Sequence, residues 1–346
     1  MAESRRTPYG RHSVDVLGSV PTTDATPTYY GQRPLKPSDW RFLIITYFFV
    51  GGLAGAAQVI AGVVDILGHR RDRALVSAGR YLALIGALVS PVLLIADLKT
   101  PSRWYNMLRV YRGTSPMSLG SWTLAIFGAT TGLASLGQAG SDLFGWHAGR
   151  ILARWAGVPA AASGALLATY TGALLSATST PLWAAGYRLL PAIFGVSGTA
   201  TATATLSLVL RRMPGTHRSV GRLERLALVS SIVELLLTRK LDSVWQHEHL
   251  RAPLEQPPLA TPYTVGVLGL GILAPLAVHF LQVITGRELR TASTLASLAA
   301  LAGGYTQRAV FVLAGKSSAE RPADYFGLAQ PEKVAELMAA GDGQRG

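Results

Sequence analysis

Apolar residues fall into eight blocks of about 20 residues, and this spacing constrains the fold more than any other feature of the sequence. An α-helix needs about 20 residues to cross the roughly 30 Å of hydrocarbon in a bilayer. Because lipid offers no hydrogen-bond partners to the backbone, each block is expected to form a transmembrane helix. The sequence therefore predicts an all-α integral membrane protein with eight transmembrane helices. The blocks span residues 41–68, 75–97, 117–139, 157–178, 188–210, 223–241, 262–285 and 291–315.

The segments outside these blocks are polar. Residues 1–40 are predicted to be an extramembrane tail, residues 98–116 an interfacial connector, and residues 316–346 a second polar tail. Residues 1–40 contain no apolar stretch of the kind that a cleavable signal peptide requires, so none is expected. An even number of spans places both termini on one side. The density of arginine in the loops on the opposite side favours the outer face for both termini.

The charge distribution argues against a nucleic-acid-binding function. Only 15% of the 346 residues are charged, against about 25% in soluble domains, and the net charge is +13. The arginines and lysines lie mainly in loops and tails, where they can meet anionic lipid headgroups. No compact basic domain remains to bind a nucleic acid, so the lipid bilayer is the expected environment and nucleic acid is not an expected partner.

Residue types that hold redox metals are scarce. The chain has no cysteine, and of its seven histidines only His279 lies clearly within an apolar block. Iron–sulfur clusters are held mainly by cysteine thiolates, and a transmembrane cytochrome b haem needs paired histidines at bilayer depth. We therefore expect no haem, no iron–sulfur cluster and no metal site on this chain.

Ionisable residues within the blocks are functional candidates, because a charge in lipid is costly. Asp65 and Asp97 lie near block ends, close to basic residues that could pair with them, which for Asp97 are Arg103 and Arg109. Glu234, His279 and Arg308 lie deeper in their blocks. Structural pairing is the alternative for each of these five residues. The functional hypothesis is that they form a proton path.

Four motifs follow one another along the blocks. They are YFFVGGLAGAAQ (47–58), DLKTPSRWYNMLRVYRGTSPMSLGSW (97–122), YTGALLSATSTPLW (170–183) and GGYTQRAVFVLAG (303–315). Together they resemble the NrfD/polysulfide-reductase membrane-subunit family, over about residues 28–326. The resemblance implies eight helices in two four-helix bundles, in a prokaryotic cytoplasmic membrane. The lead-in YYGQRPLK (29–36) is similar to family members that accompany formate-dehydrogenase-like operons.

The resemblance also implies a function. Such a subunit carries no cofactor and exchanges electrons with a membrane quinone, menaquinone or ubiquinone. It binds a four-cluster ferredoxin-like iron–sulfur subunit, which serves a molybdopterin catalytic subunit. Two alternatives remain: a secondary transporter and a structural anchor without quinone chemistry. Paired interrupted helices, the best sequence indication of a transporter, are not visible here.

The family's quinone pocket provides the candidate site residues. Its fourth-span tyrosine matches Tyr170, and the acidic end of its second span matches Asp97. Tyr47 stands where the polysulfide-reductase type has a histidine, and Leu43 and Ile44 occupy the neighbourhood of an absent asparagine. A phenol can hydrogen-bond a quinone carbonyl, and a nearby carboxylate can accept a proton. The predicted quinone-binding residues are Tyr170, Tyr47, Asp97, Arg103, Trp104 and Trp183.

The membrane face that carries this site is expected to bind the iron–sulfur partner. The segments after the second and fourth blocks leave the membrane on the same side as residues 1–40. At the end of the connector, Ser115 and Pro116 are expected to cap and begin the third span. The residues predicted to contact the partner are Tyr30, Arg33, Arg109 and Arg112.

Overall fold

The computed structural model describes residues 34–69 and 72–329, and within them all regular secondary structure is helical. A 3-10 turn (Pro101–Arg103) precedes α3, and a π-helical segment (Pro262–Leu273) runs directly into α10. The α-helices are α1 (Phe42–Leu67), α2 (Arg73–Asp97), α3 (Asn106–Arg109), α4 (Pro116–Phe144), α5 (His147–Ser176), α6 (Pro181–Ala185), α7 (Leu190–Leu210), α8 (His217–His247), α9 (Ala252–Glu255), α10 (Ala274–Thr285), α11 (Arg290–Glu320) and α12 (Pro322–Ala329).

Long helices cover all eight predicted blocks. Among the described residues, six of them are long and apolar enough to cross a membrane: α1, α2, α4, α5, α7 and the π-helical segment with α10. The other two are α8, which carries charged residues along its length, and α11, which is rich in Gly, Ala, Ser and Thr. The helical content and the six apolar helices confirm the predicted class, an all-α multi-pass membrane protein.

Several helices extend beyond the apolar blocks. The fourth block spans residues 157–178, but the corresponding helix α5 begins at His147. The eighth block ends at residue 315, but the corresponding helix α11 continues to Glu320. Hydropathy marks the part of a helix that faces hydrocarbon, whereas the helical hydrogen bonds continue through polar residues at the interface. The helix α12 also lies within residues 316–346, the segment predicted to be a polar tail. Most of that tail, and most of residues 1–40, lie outside the described residues.

Helix α1 lies at the centre of the packing and contacts α2, α5, α7 and α11. It approaches α5 closely, since a Cβ added to Gly55 would lie 2.3 Å from the carbonyl oxygen of Gly164. Small residues allow this separation, because association in lipid depends on close van der Waals packing. The helix α4 packs on α2 and α5, while α8 packs on α7 and α10.

Alternating helix directions place several connecting segments at one end of the molecule. This end, here called the connector side, comprises residues 34–41, 98–115, 177–189, 248–261 and 321–329.

Tryptophan side chains connect several of these segments by ring stacking and hydrogen bonds. The Trp40 and Trp183 rings stack with centroids 5.4 Å apart. The Trp183 indole N–H donates to the Phe311 carbonyl at 2.7 Å, and the Trp245 indole N–H donates to the Leu182 carbonyl at 2.9 Å. These contacts link the connector-side ends of α1, α6, α8 and α11, so the chain leading into α1 packs directly on the helix bundle.

Candidate functional site

A cavity of about 340 Å³ lies on the connector side, between α1, α2, α4 and α5 and beneath the connector. Its size is in the range of small-molecule sites. Four helices and the connector each supply part of the wall. The lining residues are Trp40, Ile44, Tyr47, Leu94, Asp97, Leu98, Asn106, Met107, Val110, Met117, Ser118, Gly120, Ser121, Tyr170 and Leu174.

The start of α4 positions Tyr170. The predicted cap is confirmed, because the Ser115 hydroxyl accepts the Ser118 backbone N–H at 3.4 Å and Pro116 begins the helix. The Tyr170 hydroxyl donates to the Pro116 carbonyl oxygen at 2.5 Å. Its ring lies where a side chain at Gly120 would be, since an added Cβ would be 2.1 Å from the hydroxyl oxygen. The absence of a side chain at Gly120 therefore gives the phenol its place in the cavity wall.

Tyr47 faces the same cavity from α1. Its side chain is 2% exposed, and its ring packs at 5.7 Å from that of Phe48. Within the described part of the chain, no protein group hydrogen-bonds the Tyr47 hydroxyl. This phenol is therefore available as a donor to a molecule in the cavity.

Asp97 is the last residue of α2 and the carboxylate of the cavity wall. Sequence reasoning offered Arg103 and Arg109 as ion-pair partners. Neither arginine lies within ion-pair distance of Asp97 in the structure, and neighbouring Lys99 approaches Asp39 at 3.9 Å instead. Among the residues that the structure describes, Asp97 has no ion pair, so its carboxylate remains open to the cavity.

Three of the predicted quinone-binding residues lie elsewhere. Arg103 is exposed on the 3-10 turn and does not line the cavity. Trp104 lines a neighbouring apolar groove. Trp183 is buried in the tryptophan contacts described above, where a Cβ on Gly315 would lie 2.1 Å from its indole nitrogen. Its surroundings are those of a packing residue.

The residues predicted to contact a partner are exposed where they are described. Arg109 and Arg112 lie on the connector, beside the exposed rings of Tyr105 and Tyr111. The other two predicted contact residues, Tyr30 and Arg33, lie outside the described residues.

Two of the predicted proton-path residues meet in one buried network. The Gln307 side-chain amide donates to the Glu234 carboxylate at 2.9 Å, and the Arg308 guanidinium donates to the Gln307 carbonyl oxygen. Arg308 also donates to the Ser197 hydroxyl at 2.5 Å and to the Phe194 carbonyl at 3.0 Å. Glu234 and Arg308 are 3% and 1% exposed, so Gln307 joins two charges that are both buried in the protein.

Two other predicted path residues, Asp65 and His279, lie apart from this network. Asp65 accepts from the Arg80 guanidinium at 2.9 Å, on the side opposite to the connector. The His279 ring hydrogen-bonds the Gln282 side chain at 3.1 Å. Within the described residues, no hydrogen bond joins Asp65 or His279 to the network of Glu234. The five predicted path residues therefore do not form one continuous chain of protein groups.

Two carboxylates outside the spans have shifted pKa values. Burial tends to raise the pKa of Asp72, but hydrogen bonds from the His69 backbone, Ser219 and Arg222, with the Arg222 charge, outweigh it and lower the pKa. Burial raises the pKa of Asp324 on the connector side to about 6, against the opposing effect of Arg321. Neither residue lines the cavity.

Sequence reasoning missed several residues of the cavity. Met107, Gly120 and Ser121 lie in the motif from Asp97 to Trp122 that carries the family resemblance, so that motif could have indicated them. Gln307, which joins Glu234 to Arg308, lies in the motif of residues 303–315, whereas Arg80 lies in none of the four motifs. Among the described residues, no group of three or more His, Cys, Asp or Glu side chains is placed to hold a metal ion.

The comparison with protein families agrees with this architecture. The family described as "Polysulphide reductase, NrfD" matches residues 35–318, a range that includes the whole cavity. Comparison with curated protein sequences gives no match. Because the family match covers most of the chain, the protein belongs to the NrfD family of membrane subunits of redox complexes.

Proposed function

We propose that this chain is the quinone-reactive membrane subunit of a respiratory oxidoreductase complex. It passes electrons between the membrane quinone pool and a partner iron–sulfur subunit. That subunit serves a molybdopterin catalytic subunit, of the formate-dehydrogenase type on the evidence of the YYGQRPLK lead-in. The observation that carries the proposal is the cavity, in which Tyr47, Asp97 and Tyr170 face one space at the connector side of an NrfD-family protein.

The side chains suit quinone chemistry. Oxidation of a quinol releases two electrons and two protons, so a site needs hydrogen-bond partners for two ring oxygens and an acceptor for protons. The Tyr47 hydroxyl can donate to one ring oxygen, and the Tyr170 hydroxyl, which donates its own proton to the Pro116 carbonyl, can accept from a hydroxyl of the quinol. Asp97 has no ion pair in the described structure and accepts a proton as the electrons leave. The electrons pass to a cluster of the partner subunit on the connector side.

The exposed connector supports docking of the partner at this side. It carries Arg109 and Arg112 together with the half-exposed rings of Trp104, Tyr105 and Tyr111. Aromatic residues and arginine are enriched in protein interfaces. A partner seated here would cover the roof of the cavity, which shortens the path for electron transfer.

The proposal includes the membrane arrangement. Eight spans cross the cytoplasmic membrane of a prokaryote. The helices α1, α2, α4 and α5 form one four-helix bundle, and α7, α8, α10 and α11 form the second. The helix contacts support this division, because the strongest contacts fall mostly within these two sets. Both termini and the partner lie at the connector side, on the outer face.

Proton transfer involves the buried network of Glu234, Gln307 and Arg308. A Cβ on Gly52 would lie 3.6 Å from the Arg308 guanidinium, and one on Gly51 would lie 3.4 Å from the Tyr47 ring. The network therefore reaches α1 next to the cavity, close to Tyr47. Glu234, the buried carboxylate of this network, is the proposed acceptor for a proton that leaves the quinone site.

Quinol oxidation by the purified complex tests the proposal. We expect Tyr170→Phe and Asp97→Asn to slow turnover by at least about tenfold, since the first removes a hydrogen-bond partner of the quinol and the second removes the proton acceptor. Tyr187→Phe is the matched control, because Tyr187 is exposed and lies outside the cavity. Assembly with the partner subunits should be retained in all three variants. Wild-type turnover in both Tyr170→Phe and Asp97→Asn would reject the proposed site.

A further inference from the structure

An apolar groove of about 290 Å³ adjoins the cavity between α2 and α4. Its walls include Pro91 and Ile95 of α2 and Leu124 and Gly128 of α4. Trp104 closes its connector end. Apart from one serine hydroxyl, its lining side chains are apolar, in contrast to the tyrosines and carboxylate of the cavity.

The groove and the cavity share part of their walls. Leu94, Met107 and Ser121 belong to the walls of both. The Ser121 hydroxyl lies 3.6 Å from the Met107 sulfur, so the thioether marks the junction between them. Methionine is unbranched and adapts to irregular spaces, which suits a residue that a flexible chain must pass.

Exposed apolar residues lie next to groove residues along both helices. Val92, which follows Pro91 in α2, is 65% exposed, and Ile126, which follows Ala125 in α4, is 50% exposed. Both helices are apolar enough to span the membrane, so the surface between them faces hydrocarbon. A molecule that leaves the cavity through the groove therefore enters the bilayer sideways, without crossing an aqueous interface.

We propose that this groove holds the isoprenoid tail of the quinone and is its lateral route between the cavity and the bilayer. The inference rests on the proposed function, because the cavity must hold the quinone ring. A polar cavity beside an apolar groove matches a ligand with a polar ring and a hydrocarbon tail. Trp104, predicted from the sequence to bind quinone, then contacts the tail rather than the ring.

Two glycines of α4 give a matched test. Gly128 lines the groove and Gly132 does not, yet a Cβ added at either meets nothing within 4 Å. Leucine at either position should therefore fold equally well. The full chain in nanodiscs is titrated with decylubiquinone and with the tail-less dimethoxy-methyl-benzoquinone, each displacing a fluorescent hydroxyquinoline N-oxide. The measured quantity is the ratio of the two Kd values.

We expect Gly128→Leu to reduce the preference for decylubiquinone by about tenfold, as when a side chain displaces buried hydrocarbon, and Gly132→Leu to leave it unchanged. If Gly128→Leu keeps the wild-type preference for decylubiquinone, the proposal that the groove holds the tail is overturned. If the wild-type protein binds neither quinone, both the proposed function and the proposed role of the groove are overturned. A quinone with a photoreactive tail gives a check without substitutions. Labelling of α2 and α4 along the groove is expected, and labelling confined to other helices contradicts the proposal.

Discussion

Gly120→Ala is the substitution whose effect follows most directly from the geometry of the site. The added Cβ would lie 2.1 Å from the Tyr170 hydroxyl oxygen and 2.3 Å from its Cζ atom. Carbon atoms make favourable contacts at about 3.5–4.0 Å, so the ring must move by about 1 Å or more. A movement into the cavity would take the hydroxyl away from the Pro116 carbonyl and into the space for the quinone.

The size of the effect can be estimated. Overpacking by a single methyl group typically costs about 1–3 kcal/mol. If the ring relieves the clash by entering the cavity, the same free energy appears in quinone binding, as a rise in Kd of about 5- to 150-fold. Helix propensity acts in the opposite direction, because alanine is favoured over glycine in a helix by about 1 kcal/mol. The variant should therefore remain folded.

Quinone titration and thermal unfolding of Gly120→Ala in nanodiscs separate these effects. Gly132→Ala is the control on the same helix, since its Cβ meets nothing within 4 Å, and it should bind quinone like the wild type. A wild-type Kd for Gly120→Ala, with Gly132→Ala also unchanged, would refute the placement of Tyr170 in the binding site.

Three further predictions concern groups away from the cavity wall. Arg80→Met leaves Asp65 without its ion pair and should lower the free energy of unfolding by about 3–5 kcal/mol. The double variant Asp65→Leu with Arg80→Met should recover much of that loss in thermal unfolding. A double variant as unstable as Arg80→Met would contradict the pairing. Glu234→Gln should reduce proton uptake by vesicles during quinol oxidation without loss of assembly, and normal coupling would remove Glu234 from the path. The pKa of Asp324, raised by burial to about 6 despite Arg321, makes docking of α12 strongest below about pH 4 and weaker as the pH rises through 6. Hydrogen exchange of α12, corrected for intrinsic rates, should therefore be faster above pH 6, and Asp324→Asn should abolish that difference.

Apolar block length predicted the helices well, because crossing hydrocarbon imposes both length and composition. Block length predicted the ends of the helices less accurately. The start of α5 at His147 and the end of α11 at Glu320 lie among polar residues that hydropathy does not mark as helix.

The candidate site was also predictable only in part. Alternating helix directions place Tyr47, Asp97 and Tyr170 at one end of the bundle, and the structure finds all three on one cavity. The sequence did not distinguish Gly120, which makes room for a ring, from the many glycines that allow close helix packing. Such a distinction depends on which side chain lies opposite, and that is set by the tertiary structure.

The buried charges illustrate the same limit. A sequence can place Glu234 and Arg308 at bilayer depth, but the bridging role of Gln307 depends on the rotation of two helices about their axes. Similarly, Arg80 near the start of α2 resembles an interfacial arginine, although it is 2% exposed and paired with Asp65.

The most direct test of the central claim is a cryo-EM map of the complex in nanodiscs with added menaquinone or ubiquinone. We predict density for the quinone ring in the cavity, with its oxygens within hydrogen-bond distance of Tyr47 and Tyr170 and close to Asp97. A map in which the quinone ring occupies a different site, with this cavity empty at saturating quinone, would contradict the account.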